Sequence, residues 1–146
     1  MLVFPLEEGE KICYNKYVCI HFNSLEEIMT INEIKELLNA TVLCCHDQLS
    51  KEVHTACGSD MMSDVLAFNK DQAVLITGLN NPQVVRTAEM MDIICICFVR
   101  GKRPDESLIK LAEDRGIVLM TSDEKMFESC GILYEKGLRG GMHRDR

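Results

Sequence analysis

The segment AVLITGLNNPQVVRTAEMMDIICICFVRGKRPDE, residues 73–106, holds two apolar runs of strand length on either side of one helix-length segment. Ala73 to Thr77 is a short apolar run that ends at Gly78. Ile93 to Val99 is continuously apolar and partly β-branched, the composition of a strand buried on both faces. Between them Asn81 is a good N-cap, because its side-chain oxygen can accept from a backbone N–H of the first turn. Pro82 suits the first helical position, where a missing N–H costs nothing. A helix is therefore expected from Pro82 to about Met91. A strand, a helix and a doubly buried strand in this order form the crossover unit of a parallel sheet covered by helices.

The same alternation extends both ways from this segment. Upstream, Thr30 and Glu33 form a capping box for a helix from Ile31 to Leu38, with Ile31, Ile34, Leu37 and Leu38 as its apolar stripe. Val42 to Cys45 reads as a strand, His46-Asp47-Gln48 as a turn, and Val53 to Cys57 as a second, alternating strand. Ser59 or Asp60 is expected to cap a helix bearing Met61, Met62, Val65, Leu66 and Phe68. Downstream, Pro104, Asp105 and Glu106 open a helix that closes at Gly116, and Ile117 to Met120 is a fifth strand. Ser122 is expected to cap a last helix carrying Met126 and Phe127. Gly131 should end its first part before Ile132, Leu133 and Tyr134 pack back.

With 146 residues, 47% apolar and 27% charged, the chain is sized for one domain with a real core. That domain is expected over residues 29–138. The Gly-rich, charged stretch 139–146 reads as a mobile tail. Residues 1–28 lack a clean period, and Leu25-Glu26-Glu27-Ile28-Met29 could be encoded by a GGAGGA stretch shortly before an ATG. Met29 is therefore expected to be the true start and residues 1–28 a misassigned extension, with a short extra strand plus a tail as the competing reading.

No run reaches the roughly 18 to 20 apolar residues of a membrane span, and acidic Glu7, Glu8 and Glu10 stand where a signal peptide would be basic. The chain is read as cytoplasmic, with no membrane partner. Its eight cysteines are then expected to act as small buried hydrophobes rather than a disulfide framework. A net charge of −7 with only short basic clusters argues against a nucleic-acid partner.

In open parallel sheets, ligands bind beyond the carboxyl ends of the strands. Thr77, Gly78, Asn80 and Asn81 supply small or polar groups at one such turn, and the N–H groups of the helix behind Pro82 suit an anion. A tight turn and an ordinary cap explain the same letters without a ligand. Arg100, Gly101 and Arg103, with Lys102, form a second turn, either an anion contact or a solvated basic loop. Ser59 and Asp60 form a third.

Cys44, Cys45, His46, His54 and Cys57 are soft ligands, but they lack a paired C-x-x-C spacing, and adjacent strand residues point to opposite faces. No metal is expected. Ser122 and Lys125 match a serine acyl-enzyme spacing without its companion motifs. Neither a Walker loop nor a GxGxxG fingerprint occurs, so no cofactor is expected.

The run from Ala73 to Leu133, together with the opening helix, the VLCC segment and ACGSDMMSDVLA, resembles the DRTGG domain family over roughly Met29 to Leu138. The family takes its name from two strand-end turns. Where many members have Gly-Asp-Arg after the third strand, this chain has Leu79-Asn80-Asn81. Where they have Thr-Gly-Gly after the fourth, it has Arg100-Gly101-Lys102. The likeness is thus to the framework more than to the name-giving motif.

The resemblance implies an α/β fold similar to the N-terminal domain of HPr kinase/phosphorylase: three layers, α/β/α, around a mixed, mostly parallel sheet of about five strands. Members of the family accompany phosphate acetyltransferase, pyrophosphatase and CBS-pair modules, or stand alone, without an established catalytic role. A kinase label does not fit a chain lacking a phosphate-binding loop. The function expected is a non-catalytic regulatory domain binding a small anionic ligand, such as a nucleotide, at the turns 77–82 and 100–103. The alternative is an interaction module, dimerising or docking to a partner enzyme through Met61, Met62, Met90 and Met91. An enzyme relying on a cysteine or a metal ranks last.

Overall fold

The computed structural model describes residues 27–67 and 71–141, with the backbone alone at 12–13 and 19–20. In chain order the elements are β1 (Ile12–Cys13), β2 (Cys19–Ile20), β3 (Met29–Thr30), α1 (Ile31–Leu37), β4 (Thr41–Val42), β5 (Glu52–Val53), β6 (Thr55–Gly58) and α2 (Met62–Leu66). They continue with β7 (Ala73–Thr77), α3 (Pro82–Met90), β8 (Ile93–Phe98), α4 (Glu106–Asp114), β9 (Val118–Thr121) and α5 (Met126–Glu135).

The main sheet has the order β4-β9-β8-β7-β6. Its four longer strands are parallel, and β4 closes one edge antiparallel to β9. Crossovers between parallel neighbours are right-handed as a rule, which places α2, α3 and α4 on one face. Accordingly α2 packs on α3 and α3 on α4, while α1 and α5 pack together and α5 lies on β6 and β7. The result is a three-layer α/β/α domain with a mixed, mostly parallel five-stranded sheet, as the family resemblance implies. Two small antiparallel pairs, β1 with β2 and β3 with β5, stand apart from it.

The centre of the sheet explains its stability. Every residue of β7 and β9 is buried, as is β8 apart from half-buried Ile94. Leu75, Ile76, Ile96, Phe98, Leu119 and Met120 are wholly enclosed, each worth about 1.5–3 kcal/mol of apolar transfer. The caps form as the sequence predicts. Thr30 and Glu33 complete the capping box of α1, Asn81 accepts from the Gln83 N–H at 3.0 Å, and α4 ends ahead of Gly116 at φ +66.

Several expectations change in three dimensions. The first strand ends at Val42 rather than Cys45, because Cys45 adopts a left-handed backbone (φ 58) that turns the chain into a short 3-10 segment, His46–Gln48. The second strand splits, with Val53 pairing to Met29 in the small sheet and Thr55 onward joining the main one. Neither Ser59 nor Asp60 takes the N-cap position of α2, which Met61 holds without a side-chain bond.

Ser122 does not cap α5. Its hydroxyl is buried and donates to the Leu38 carbonyl at 2.6 Å, and Lys125 takes the cap position. Gly131 does not break that helix, whose buried Ser129 and Leu133 keep it seated on the sheet while an added Cβ at Gly131 would meet nothing. Tyr134, expected to pack back, is exposed, as are Met61, Leu66 and Phe127. The helix expected to open at Pro104 starts at Glu106, with Asp105 as its cap.

Glu27 donates its N–H to the Gly137 carbonyl, and Arg139 pairs with Thr55 on the outer side of β6. Most of residues 1–26, Phe68, and residues 142–146 lie outside the described residues. The expectations of a start at Met29 and of a mobile end are to that extent untested.

Candidate functional site

Because β6, β7, β8 and β9 run parallel, their carboxyl ends open on one edge, and four turns meet there: 59–61, 78–81, 99–103 and 122–125. Asp60 is the junction. Its Oδ1 accepts from the Gly78 N–H at 2.6 Å and from the Thr77 hydroxyl at 3.2 Å, and its Oδ2 lies 3.3 Å from Arg100 Nη2. Partial burial pushes this carboxyl up, but the Gly78 N–H, Arg100 and Thr77 outweigh burial and hold its pKa below the ordinary value.

The geometry of the Arg100 turn is what delivers the guanidinium. Arg100 and Gly101 both occupy the left-handed region, at φ 58 and φ 64. For a non-glycine residue that conformation is unfavourable by about 1–2 kcal/mol and needs support. The support is visible: Arg100 N–H donates to the Glu124 carbonyl at 2.8 Å, Gly101 N–H to the Ser122 carbonyl at 2.9 Å, and Lys102 N–H to the Val99 carbonyl at 3.2 Å. The turn thereby folds Arg100 back over Gly78, so closely that a Cβ at Gly78 would overlap the guanidinium. The absence of a side chain at Gly78 is what lets the guanidinium lie this close.

The remaining predicted residues take varied places. Asn80 ties the two turns together, its side-chain amide donating to the Arg103 carbonyl at 2.8 Å. Asn81 is spent on capping α3. Arg103 contributes its carbonyl to this contact and leaves its side chain exposed. Ser59 is less involved, since its hydroxyl bonds locally to Met61 and its N–H to the Ile76 carbonyl.

Two features escape the sequence reading. One is the carboxylate of Asp60 lying on the donors that seemed available to an anion. The other is the segment Ser122 to Glu124, whose carbonyls shape the Arg100 turn and whose Asp123 carboxylate stands beside Gly101, 3.0 Å from where a Cβ would be. The second was findable, because residues after a fifth parallel strand share the same edge. Of the three basic residues of 100–103, Arg100 is paired with Asp60, while Lys102 and Arg103 are exposed.

The other clusters are separated from this edge. His54 pairs with Asp71 at 2.9 Å near the amino ends of β6 and β7. Among the described residues no three His, Cys, Asp or Glu side chains gather as metal ligands would. The described cysteines are free, and burial pushes Cys45 and Cys97 up to about 12, which leaves their thiols protonated and unreactive. Among the described residues no helix is long and apolar enough to cross a membrane.

The DRTGG domain pattern matches residues 33–135. The fold is similar to a crystal structure of the CBS and DRTGG domains of the regulatory region of Clostridium perfringens pyrophosphatase, complexed with its activator diadenosine tetraphosphate. The TM-score is 0.60 at 14% identity, over 71% of this chain and 45% of that one. The chain thus spans under half the length of that structure. No protein of curated function matches the sequence.

Proposed function

We propose that this chain, which belongs to the DRTGG domain family, is a non-catalytic, cytoplasmic regulatory domain that binds a small anionic ligand, nucleotides included, at the edge formed by residues 77–82 and 100–103. The observation that carries this reading is the seat of Asp60. A backbone N–H, a hydroxyl and a guanidinium converge on one carboxylate, a donor set that also suits a phosphate or carboxylate of a ligand. Asp60 and Arg100 keep 46% and 44% of their side-chain surface exposed, so an incoming anion has access. Binding then exchanges an internal anion for an external one, and the released turn 59–61 relays the event to α2.

The similar regulatory region was crystallised with a polyphosphate activator, which makes phosphates the first ligands to try. Isothermal titration with pyrophosphate, mononucleotides and dinucleoside polyphosphates tests the reading. Wild-type protein should bind at least one, and Arg100→Ala should weaken it about tenfold or more, as loss of a charge-assisted contact implies. Absence of binding across the whole panel would overturn it.

A second reading, an interaction module, is favoured by the large apolar side chains left outside. Met61 (60% exposed) caps α2 and Leu66 (44%) ends it, and Met90 (59%) sits at the end of the adjacent α3. Met62 and Met91, their neighbours in sequence, belong to the core. Sedimentation separates the readings: self-association abolished by Met61→Lys would favour the interaction module, and a strict monomer would count against a homodimer.

A further inference from the structure

A half-open cavity of about 120 Å³ lies between β6, β7 and α5, lined by Ala56, Gly58, Ile76, Cys130, Leu133 and Tyr134. It is largely apolar, and burial raises the Cys130 thiol, so nothing charged lines it. We infer that this cavity receives the planar ring of a nucleobase. The inference rests on the anionic-ligand reading above and assigns that ligand's second half.

Size comes first. An engineered apolar cavity of about 150 Å³ accommodates benzene, whereas sites enclosing whole ligands occupy some 300 Å³ or more. A space of about 120 Å³ with an open mouth suits one ring whose remainder stays outside. Shape follows from glycine. A Cβ at Gly58 would stand 2.6 Å from Cys130 Sγ, so the sulfur lies directly against this glycine and the two together form one wall of the space. Leu138 and Gly140 close another side with a short segment that runs along β6.

Polarity at the rim narrows the ligand class. The Ala56 N–H points outward from the sheet, donating to the Arg139 carbonyl at 2.9 Å. Backbone groups of a strand alternate sides, so Gly58, two residues on, presents its N–H and C=O outward as well. A residue with an N–H and a C=O directed outward offers the kind of paired donor and acceptor that the edge of a base also carries. The exposed ring of Tyr134 offers a flat stacking surface, with the Arg139 guanidinium 4.0 Å from its centroid. An added peptide strand fits less well, since Arg139 already occupies the outer side of β6 at Thr55 and Ala56.

Position completes the argument. Gly58 ends β6 two residues before Asp60, at most about 7 Å of chain, and Ile76 immediately precedes Thr77 and Gly78. The cavity rim and the Asp60 donor set are therefore built from adjoining residues of β6 and β7. A base in the cavity can leave its phosphate at Arg100.

The test uses a probe without phosphate. Adenosine titrated into ¹⁵N-labelled full-length protein should shift the amides of Ala56, Gly58, Cys130 and Leu133. Ala56→Leu, which fills the cavity, should cut the adenosine affinity at least fivefold. Pyrophosphate, followed in the same spectra, should shift Gly78 and Arg100 equally in wild type and variant, which also checks that the variant folds. Should Ala56→Leu unfold, Tyr134→Ala, which removes an exposed stacking ring, serves instead with the same expected loss. Adenosine shifts that are absent, lie elsewhere or survive these changes overturn the inference, whatever pyrophosphate does. Silence from pyrophosphate, mononucleotides and dinucleoside polyphosphates alike at Gly78 and Arg100, with adenosine shifts intact, would overturn the anionic-ligand reading and leave the cavity assignment standing.

Discussion

The two ends of the parallel strands differ in chemistry although they hang from the same buried core. At the carboxyl ends, Gly78 N–H, the Thr77 hydroxyl and Arg100 converge on Asp60. At the amino ends the charged groups are mostly carboxylates: Asp71 takes His54 at 2.9 Å and Asp92 takes the Gln72 N–H at 3.3 Å. The asymmetry follows from connectivity, because carboxyl ends lead into helix N-termini with their spare N–H groups, whereas amino ends follow helix C-termini with spare carbonyls. An external anion is therefore attracted to one end only. What distinguishes that end further is that its donors already share an internal anion.

The comparison can be broken at its common support. Phe98, wholly buried at the end of β8, should cost about 3–5 kcal/mol when replaced by alanine, read from urea denaturation, and both ends should loosen together. A loss under about 1 kcal/mol would mean that the two edges do not depend on one core.

It is sharpened by removing the internal anion. Asp60→Asn keeps the shape but lessens the competition, so pyrophosphate affinity should rise severalfold, opposite in sign to Arg100→Ala. Unchanged or weaker binding would show that Asp60 does not compete for those donors. The same variant carries a pH signature. The folded pKa of Asp60 is lowered, so its stabilising effect is fully present above the unfolded value and is lost as pH falls through the folded one. Acid titration of stability should therefore be shallower in Asp60→Asn than in wild type, and identical curves would contradict a stabilising role for the Asp60 contacts.

Gly78→Ala probes the close approach. The added methyl displaces the guanidinium, a flexible group, so stability should change by no more than about 1 kcal/mol while pyrophosphate binding falls. The smallest effect belongs to the other end. Asp71→Asn removes a half-exposed pair worth under about 1 kcal/mol and should leave pyrophosphate affinity within about twofold of wild type. A large change there would erase the distinction between the two ends.

Legibility in the sequence tracked the range of the interaction. Thr30 with Glu33 and Asn81 with Pro82 act within one helical turn, and their caps form as read. The apolar run from Ile93 needs only its own composition to be a doubly buried strand. Cys45, Ser122 and Gly131 were misread because their conformations answer to distant partners. Cys44 reaches the Ile117 carbonyl, Ser122 reaches Leu38, and Gly131 is carried through by neighbours seated on the sheet. The same holds for the candidate edge, where residues from separate turns could be placed together by strand order but not paired.

By itself, then, the sequence determined the order of strands and helices, the caps, the doubly buried centre and the family framework, because periodicity and capping are local and repeat along the chain. Tertiary structure alone decided that Asp60 lies across Gly78 and Arg100, that Cys130 packs directly on Gly58, and which of the paired methionines face out. Those facts depend on contacts between residues 18 to 72 positions apart. Such pairs are set by how the layers close, and no local pattern encodes them.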